Sequence, residues 1–194
     1  MVVDSRSAEP VRCPWATGEL LTRYHDLEWG VPVSSDREHL ELLCLEGAQA
    51  GLSWLAVLRR RQAYRRQMLN FEPQRLARLP ERAVERWLSD PALIRNRAKL
   101  SSVLENARAL RQLVIEWGSF DRYLARGLGL TRVRNRWTTP DDVPAATEAS
   151  RLLSRELRRR GFRFLGPTVC YAYMQSAGLV NDHLIGCFRW AELG

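Results

Sequence analysis

The chain has 194 residues, 45% of them hydrophobic, which is enough for one domain with a buried core. No apolar run approaches the roughly 20 residues of a membrane span, and the N-terminus lacks an apolar signal segment. We therefore expect a cytoplasmic protein. The formal net charge of +8 favours a polyanionic partner such as nucleic acid.

Arginine supplies almost all of the positive charge, because Lys99 is the only lysine. Guanidinium groups bind phosphate through two parallel hydrogen bonds, which suits a nucleic-acid surface. A GC-rich genome gives the same bias by replacing lysine codons with arginine codons. The net charge is therefore the stronger indication of the partner.

The first third of the chain predicts a disordered start and two helices. Residues 1–12 are expected to be disordered, residues 13–190 to form one domain, and residues 191–194 to be a tail. Ser35-Asp36-Arg37-Glu38 is a capping box at the start of a helix, on whose polar side we expect an exposed His39. Residues 53–70 are predicted to form a second helix. Its arginine-rich face is either solvated or flanks a site.

The rest of the chain also has a helical pattern. Apolar residues from Leu100 to Trp117 recur at helical spacing and predict a long helix. Residues 127–146, rich in Gly, Thr, Pro and Asp, predict a long loop, and another helix is expected from about Thr147 to Arg160. No segment shows the alternation of a β-strand. The predicted fold class is all-α.

Residues 44–54 combine features of a binding pocket. They hold a single acid, Glu46, within an otherwise uncharged stretch, followed by Leu52 and Trp54. Two glycines four residues apart each cost about 1 kcal/mol in a helix, so a turn or a close approach is expected there. One interpretation is a pocket wall that carries an acid and an apolar wedge. The other is a helix corner with a buried tryptophan.

Residues 161–168 predict a tight helical hairpin with glycine at both corners. Its second helix begins near Gly166 and Thr168, where free backbone N–H groups and the helix dipole suit a phosphate. A helix-hairpin-helix element holds the DNA backbone in this way, although many antiparallel helix pairs also turn at glycines. Lys99 lies away from this hairpin in sequence, which argues against a lyase that needs a lysine nucleophile.

Two cysteine–histidine pairs lie near the ends of the chain. Cys13 and His25 are near the N-terminus, and His183 and Cys187 are four residues apart near the C-terminus. Two Cys and two His make the usual composition of a structural zinc site, for which Asp182 could orient a ligand ring. The alternative is two buried cysteines and two unrelated histidines.

Several segments together resemble a known family. They are residues 24–32 (YHDLEWGVP), 44–47 (CLEG), 50–54 (AGLSW), 160–162 (RGF), 170–171 (CY) and 178–183 (GLVNDH). In this order they resemble the DNA-3-methyladenine glycosylase I family, the constitutive alkylation-repair glycosylases of bacteria. The resemblance runs from about residue 13 to residue 187.

The resemblance implies a two-lobed helix-hairpin-helix glycosylase fold with the substrate cleft between the lobes. It also implies one structural zinc ion that ties the terminal segments together. The ligands implied in this chain are Cys13, His25, His183 and Cys187.

The resemblance further implies a base pocket formed by Tyr24, Glu46 and Trp54. The turn of Ala50, Gly51 and Leu52 is implied as the DNA wedge. The sequence departs from the family pattern at Leu21, where a second tyrosine often stands, so one pocket wall is expected to be less aromatic.

The implied activity is excision of 3-methyladenine from double-stranded DNA by a monomeric enzyme. The base is flipped out and released by hydrolysis without a lyase step, which leaves an abasic site. Two other functions stay open. A zinc-stabilised DNA-binding module without activity needs the hairpin but no acid in an aromatic pocket, and a glycosylase for another lesion differs only in the pocket.

Overall fold

A computed structural model describes residues 10–194, so most of the segment predicted to be disordered lies outside the described residues. The helices of the described chain are α1 Gly18–Leu27, α2 Asp36–Gln49, α3 Trp54–Leu58, α4 Arg61–Gln67, α5 Pro73–Leu76, α6 Ala83–Leu88, α7 Arg97–Trp117, α8 Phe120–Arg122, α9 Glu148–Arg159, α10 Pro167–Ser176 and α11 Phe188–Glu192. Short 3₁₀ turns cover Leu69–Phe71 and Pro140–Asp142, and a π turn covers Tyr123–Gly127.

Two strands of two residues, β1 Val133–Arg134 and β2 Val180–Asn181, pair in parallel. They fix the loop before α9 to the segment after α10 and leave the helical character of the fold unchanged. The prediction of an all-α fold is confirmed. Within residues 10–194, no helix is both long and apolar enough to cross a membrane.

Helix α2 is the centre of the fold and packs against both α7 and α10. The Ser35 hydroxyl caps it by accepting a hydrogen bond from the Glu38 backbone N–H, at 3.3 Å. Every side chain from residue 39 to residue 48 is buried, so most of the helix has no solvent face. This explains why the prediction of an exposed His39 is wrong. The ring is fully buried, its Nδ1 lies 2.7 Å from the Tyr173 hydroxyl, and burial lowers its pKa to about 4.

The prediction of one helix over residues 53–70 is also wrong. The segment divides into α3, α4 and a 3₁₀ turn that contains left-handed backbone at Asn70. Two of its arginines leave the solvated face, because Arg61 and Arg65 bind the buried carboxylate of Glu41. Burial alone raises the pKa of Glu41, but these guanidinium groups outweigh it and the pKa is lowered. Tertiary ion pairing and packing have overridden local helix propensity here.

Helices α7 and α9 are as predicted. The Asn96 side chain caps α7 by accepting from the Lys99 backbone N–H, and Gly118, at φ 85°, ends it. Thr147 caps α9, and the chain turns at Gly161, at φ 92°, into the hairpin that leads to α10. The Ser154 hydroxyl donates to the Leu165 carbonyl at 2.6 Å and ties the two arms of this hairpin together.

Candidate functional site

A pocket of about 350 Å³ opens between α1 and the N-terminal segment on one side and α2, α3 and α10 on the other. Its volume lies in the range of small-molecule sites. All three predicted base-pocket residues line it. Its lining residues are Trp15, Leu21, Tyr24, Trp29, Glu46, Gln49, Ser53, Trp54, Leu55, Ala172 and Gln175.

Glu46 supplies the only carboxyl group of this lining. It lies in the buried part of α2, and burial raises its pKa to about 8, with the nearby Ser176 hydroxyl partly opposing the shift. The group is therefore mostly protonated at neutral pH when the pocket holds no ligand. A cationic ligand would favour its ionised form.

The aromatic side chains of Tyr24 and Trp54 lie beside this acid, with their ring centroids 5.3 Å apart and the planes tilted by 53°. Among residues 10–194, neither the Tyr24 hydroxyl nor the Trp54 Nε1 group has a hydrogen-bond partner, although both are buried. Buried polar groups without partners are rare in native proteins. Two of them in one pocket point to a polar ligand.

Two tryptophans complete the aromatic lining and were missed by sequence reasoning. Trp15 and Trp29 pack edge to face, with centroids 5.0 Å apart. Leu21 does line the pocket, as the departure from the family pattern suggested, but Trp15 also packs against Tyr24, at 6.4 Å. The concentration of aromatic residues between positions 13 and 34 could have indicated that this segment lines the pocket.

The four predicted metal ligands come together in one buried cluster. The ligand atoms of Cys13, His25, His183 and Cys187 all lie within 4.8 Å of one another. His183 Nδ1 is 3.2 Å from His25 Nε2 and 3.6 Å from Cys187 Sγ. Bond lengths of 2.0–2.3 Å in a tetrahedral site give ligand separations of about 3.3–3.8 Å. Four of the six ligand-atom pairs, at 3.2–3.7 Å, are at or close to this range, so the residues fit a tetrahedral metal ion after a small closing movement of the rest.

Burial shapes the electrostatics of this cluster. It raises the pKa of the Cys13 thiol to about 12 and lowers the pKa of His183 to about 4. A divalent cation reverses the preference of the thiols because it binds thiolate and neutral imidazole. The cluster could thus hold a metal ion that joins the segment before α1 to the segment before α11.

The outer partners of the two imidazoles differ from the prediction. Asp26 Oδ1 lies 2.7 Å from His25 Nδ1 and is itself bound by Arg12, while the Trp29 carbonyl lies 3.1 Å from His183 Nε2. Such groups orient a ligating ring. The role predicted for Asp182 is wrong.

Asp182 instead accepts four hydrogen bonds. They come from Asn135 Nδ2, Trp137 Nε1, the Tyr171 hydroxyl and Gln175 Nε2. Since the first two donors belong to the long loop and the others to α10, the carboxylate fixes that loop to the pocket wall. Its position beside His183 in sequence gave no indication of this.

The turn predicted as a wedge directly follows the buried part of α2. Gly51 has φ 77°, a left-handed conformation that favours glycine. Ala50 and Leu52 are exposed, and Leu52 is 44% exposed despite its apolar side chain. The turn thus presents an apolar side chain to solvent beside the mouth of the pocket, whose rim includes Gln49 and Ser53.

The predicted phosphate-binding end of α10 is also accessible. Gly166 is the N-cap residue, and Thr168 is exposed. A groove of about 450 Å³ beside it is lined by Arg151, Ser154, Arg155, Arg158, Arg159 and Pro167. In the described part of the chain, Arg151 and Arg158 form no ion pair, whereas Arg155 and Arg159 face Glu148 and Glu156. This basic groove is continuous with the start of α10.

A pocket for one flat ring and a basic hairpin occur together in proteins that act on a single base of DNA. The DNA glycosylases are one such class. The methyladenine glycosylase family model matches residues 15–190. The chain belongs to the methyladenine glycosylase family and is an enzyme that hydrolyses N-glycosyl bonds.

Individual relatives agree with this assignment. DNA-3-methyladenine glycosylase 1 of Escherichia coli (strain K12) is 41% identical over 177 residues, which cover 91% of this chain and 95% of the relative. A crystal structure of 3-methyladenine DNA glycosylase I has a TM-score of 0.88 at 41% identity and covers 92% of this chain and 98% of that one.

One solved structure contains a ligand. It is a Tyr-to-Phe variant of 3-methyladenine DNA glycosylase I in complex with 3-methyladenine. It is 28% identical, has a TM-score of 0.87, and covers 91% of this chain and 96% of that chain.

Proposed function

We propose that this enzyme flips 3-methyladenine out of double-stranded DNA and releases it by hydrolysis, which leaves an abasic site. The observation that carries the proposal is the buried acid Glu46 beside Tyr24 and Trp54, two aromatic residues whose polar groups lack partners within residues 10–194. Such a pocket suits a flat ring with hydrogen-bonding edges. The relatives are named for 3-methyladenine, which supports this choice of base.

The alkylated nucleotide needs little acid catalysis. Methylation at N3 gives adenine a positive charge, so the bond from the base to C1′ breaks with its electron pair moving to the base, which leaves neutral. Water then adds to C1′, and its proton passes to solvent. The work of the protein is to bind the flipped base and exclude bases that remain uncharged.

Glu46, Tyr24 and Trp54 divide that work. A cation lowers the cost of ionising the buried Glu46, whose carboxylate then accepts hydrogen bonds from the exocyclic amine of the base. The rings of Tyr24 and Trp54 favour an electron-poor ring over a neutral one. Selectivity thus comes from charge as well as shape.

The exposed elements bind the duplex. Leu52, on the turn of Ala50, Gly51 and Leu52, fills the space that the flipped base leaves in the stack, as apolar wedges do in proteins that kink DNA. The helix-hairpin-helix element binds phosphate through the free N–H groups near Gly166 and Thr168, and the α9 groove extends the positive surface. Flipping costs a few kcal/mol, which these contacts offset.

We infer that the metal ion is zinc, one per chain, because Cys13, His25, His183 and Cys187 have the usual ligand composition of a structural zinc site. It takes no part in the reaction. The ring of Trp29 packs on His183 with centroids 4.5 Å apart, and the ring of Trp15 packs on His25 at 5.2 Å, so the ion supports the aromatic wall of the pocket. We further propose that the enzyme acts as a cytoplasmic monomer.

Base release identifies the activity directly. The protein is incubated with methylated duplex DNA, and the freed base is separated by chromatography. Free 3-methyladenine and an intact strand that breaks only on later alkali treatment are the expected result. Strand cleavage without alkali would show a lyase, another base would show a different lesion, and DNA binding without release would show a non-enzymatic module.

A further inference from the structure

The side chain of the only lysine in the sequence reaches the turn predicted as the wedge. Lys99 is in the first turn of α7, and its ammonium group donates to the Ala48 carbonyl at 2.9 Å and to the Ala50 carbonyl at 2.5 Å. These carbonyls lie at the C-terminal end of α2, where the helix dipole favours a cation. Ala50 and Gly51 are exposed, so packing restrains this turn little, and the Lys99 ammonium group ties it to α7.

A second polar residue of α7 holds the hairpin. The Asn106 side chain is buried; its Oδ1 accepts from the Arg163 backbone N–H at 2.7 Å, and its Nδ2 donates to the Arg163 carbonyl at 3.2 Å. The next residue, Phe164, is exposed and has a φ of 59°, which is unfavourable for a side chain of this size. The paired hydrogen bonds from Asn106 hold the loop in that conformation.

The two residues are seven positions apart, which is close to two turns of a helix. They therefore lie on the same side of α7, separated by roughly 10 Å along its axis. Helix α2, which leads into the first of the two turns, also passes close to the second. A Cβ atom at Gly47, near the end of α2, would lie 3.4 Å from the Phe164 carbonyl oxygen. The chain thus packs closely where α2 passes the hairpin.

We propose that α7 sets the spacing between the wedge and the phosphate-binding hairpin, with Lys99 and Asn106 as positioning residues. This inference rests on the proposed function and adds two residues that touch neither base nor phosphate. A fixed spacing matters because the wedge enters the stack at one nucleotide while the hairpin holds the backbone at another. Misplacement of either by about 1 Å is costly in a preorganised site.

Lys99 is tested by comparing single-stranded and duplex substrates. Lys99→Met removes the ammonium group and keeps a long side chain, and single-turnover release of 3-methyladenine is measured from the same methylated oligonucleotide alone and annealed. We expect duplex excision to fall about tenfold, as for the loss of one charge-assisted hydrogen bond, with a much smaller decrease on the single strand. The stack needs filling only in a duplex, and Leu52→Ala should show the same pattern.

Arg97→Gln is the matched control. It removes one positive charge from the same end of α7, but Arg97 is exposed and pairs with Glu85, away from the turn. It should leave both rates unchanged. Lys99→Arg, which keeps a cationic donor, should recover part of the duplex rate. Equal decreases on both substrates, or parental duplex excision by Lys99→Met, would overturn the role of Lys99.

Asn106→Asp keeps the acceptor for the Arg163 N–H and loses the donor. We expect weaker binding to undamaged duplex and to an abasic-site duplex, with free 3-methyladenine binding unchanged because the pocket is intact. Unchanged DNA affinity in this folded variant would remove Asn106 from the proposal. Parental protein that releases no base from methylated DNA would instead refute the proposed function.

Discussion

Helix α2 and the turn that follows it bring two opposite environments within six residues. Glu46 is buried with its pKa raised to about 8, whereas Leu52 is an apolar side chain exposed to solvent. Each is unfavourable in the free protein, since burial of an acid and exposure of a large apolar group both cost free energy. In the function proposed above, this difference separates two tasks: Glu46 selects the base, and Leu52 engages the duplex.

The proposed zinc ion would support the pocket that holds Glu46 and not the exposed turn of Leu52, and its loss gives the largest expected effect. Cys187→Ser removes one thiolate, and the free energy of unfolding should fall by about 4 kcal/mol or more because metal binding is coupled to folding. Thermal unfolding with and without a chelator measures this. Elemental analysis should find about one zinc per parental chain.

Cys44→Ser is a useful control for that substitution. Cys44 is a buried cysteine outside the cluster, so its change should leave the zinc content unaltered. Parental protein without zinc that ignores chelators would show that the four residues serve another purpose.

The second effect concerns the cost of burying Glu46. The carboxyl group has an ordinary pKa of 4.5 in the unfolded chain and about 8 in the folded one, so the unfolded state loses its proton first. The contribution of this carboxyl group to the free energy of unfolding is therefore greatest below pH 4.5, and it is lost as the pH rises to about 8. Glu46→Gln removes this pH dependence. The free energy of unfolding of the variant, relative to that of the parent, should therefore rise by up to about 4 kcal/mol between pH 4.5 and pH 8.

Denaturant unfolding at a series of pH values measures this difference. The comparison with Glu46→Gln cancels the titration of every other group that the substitution leaves unchanged. Parallel stability curves for the two proteins between pH 4.5 and 8 would mean that the carboxyl group is ionised in the free pocket.

The same substitution should weaken recognition. Glu46→Gln keeps the shape, removes the charge and replaces one acceptor by a donor. We expect binding of 3-methyladenine and its excision to weaken by about 1–3 kcal/mol, as for a charge-assisted hydrogen bond. Calorimetry with the free base and single-turnover excision provide the two measurements.

Binding of undamaged duplex serves as the internal control, because Glu46 faces the pocket and not the phosphates. It should barely change. If Glu46→Gln excises the base at the parental rate, recognition depends on Tyr24 and Trp54 instead.

The sequence predicted the parts of this molecule whose residues follow a local rule. Helical periodicity located α7 and α9, whereas the types and spacing of Cys13, His25, His183 and Cys187 left a metal site and unrelated buried side chains both open until the family resemblance was considered. The family resemblance was needed to assign the base pocket, since residues 44–54 alone allowed a simple helix corner.

The predictions that were wrong all concern residues whose positions depend on tertiary contacts. His39 is buried because α2 is surrounded by α7 and α10, and Asp182 is used by a loop distant in sequence. The break between α3 and α4 accompanies the ion pairs of Arg61 and Arg65 with Glu41. No local pattern in the chain encodes these partners.

The smallest expected effect concerns the exposed surface of the protein, in the arginine-lined groove beside α10. Arg151 and Arg158 line the groove beside α10 and have no ion-pair partner in residues 10–194, so they are free to meet phosphate. Replacing both with glutamine should weaken binding to undamaged duplex only a few-fold at about 0.5 M salt, where phosphate contacts contribute little, and equally for every sequence. Removing an arginine that neutralises one phosphate should reduce the slope of log affinity against log salt by about 0.9.

A salt titration of duplex binding tests this more sharply than one affinity. A slope smaller by about two would place both arginines at phosphates. Arg97→Gln together with Arg108→Gln is the matched control, because it removes the same charge from residues paired with Glu85 and Glu81. If the control pair changes the slope as much as the groove pair does, net charge governs binding and the α9 groove has no special role. Binding of free 3-methyladenine should be unaffected in both pairs, since neither reaches the pocket that holds Glu46.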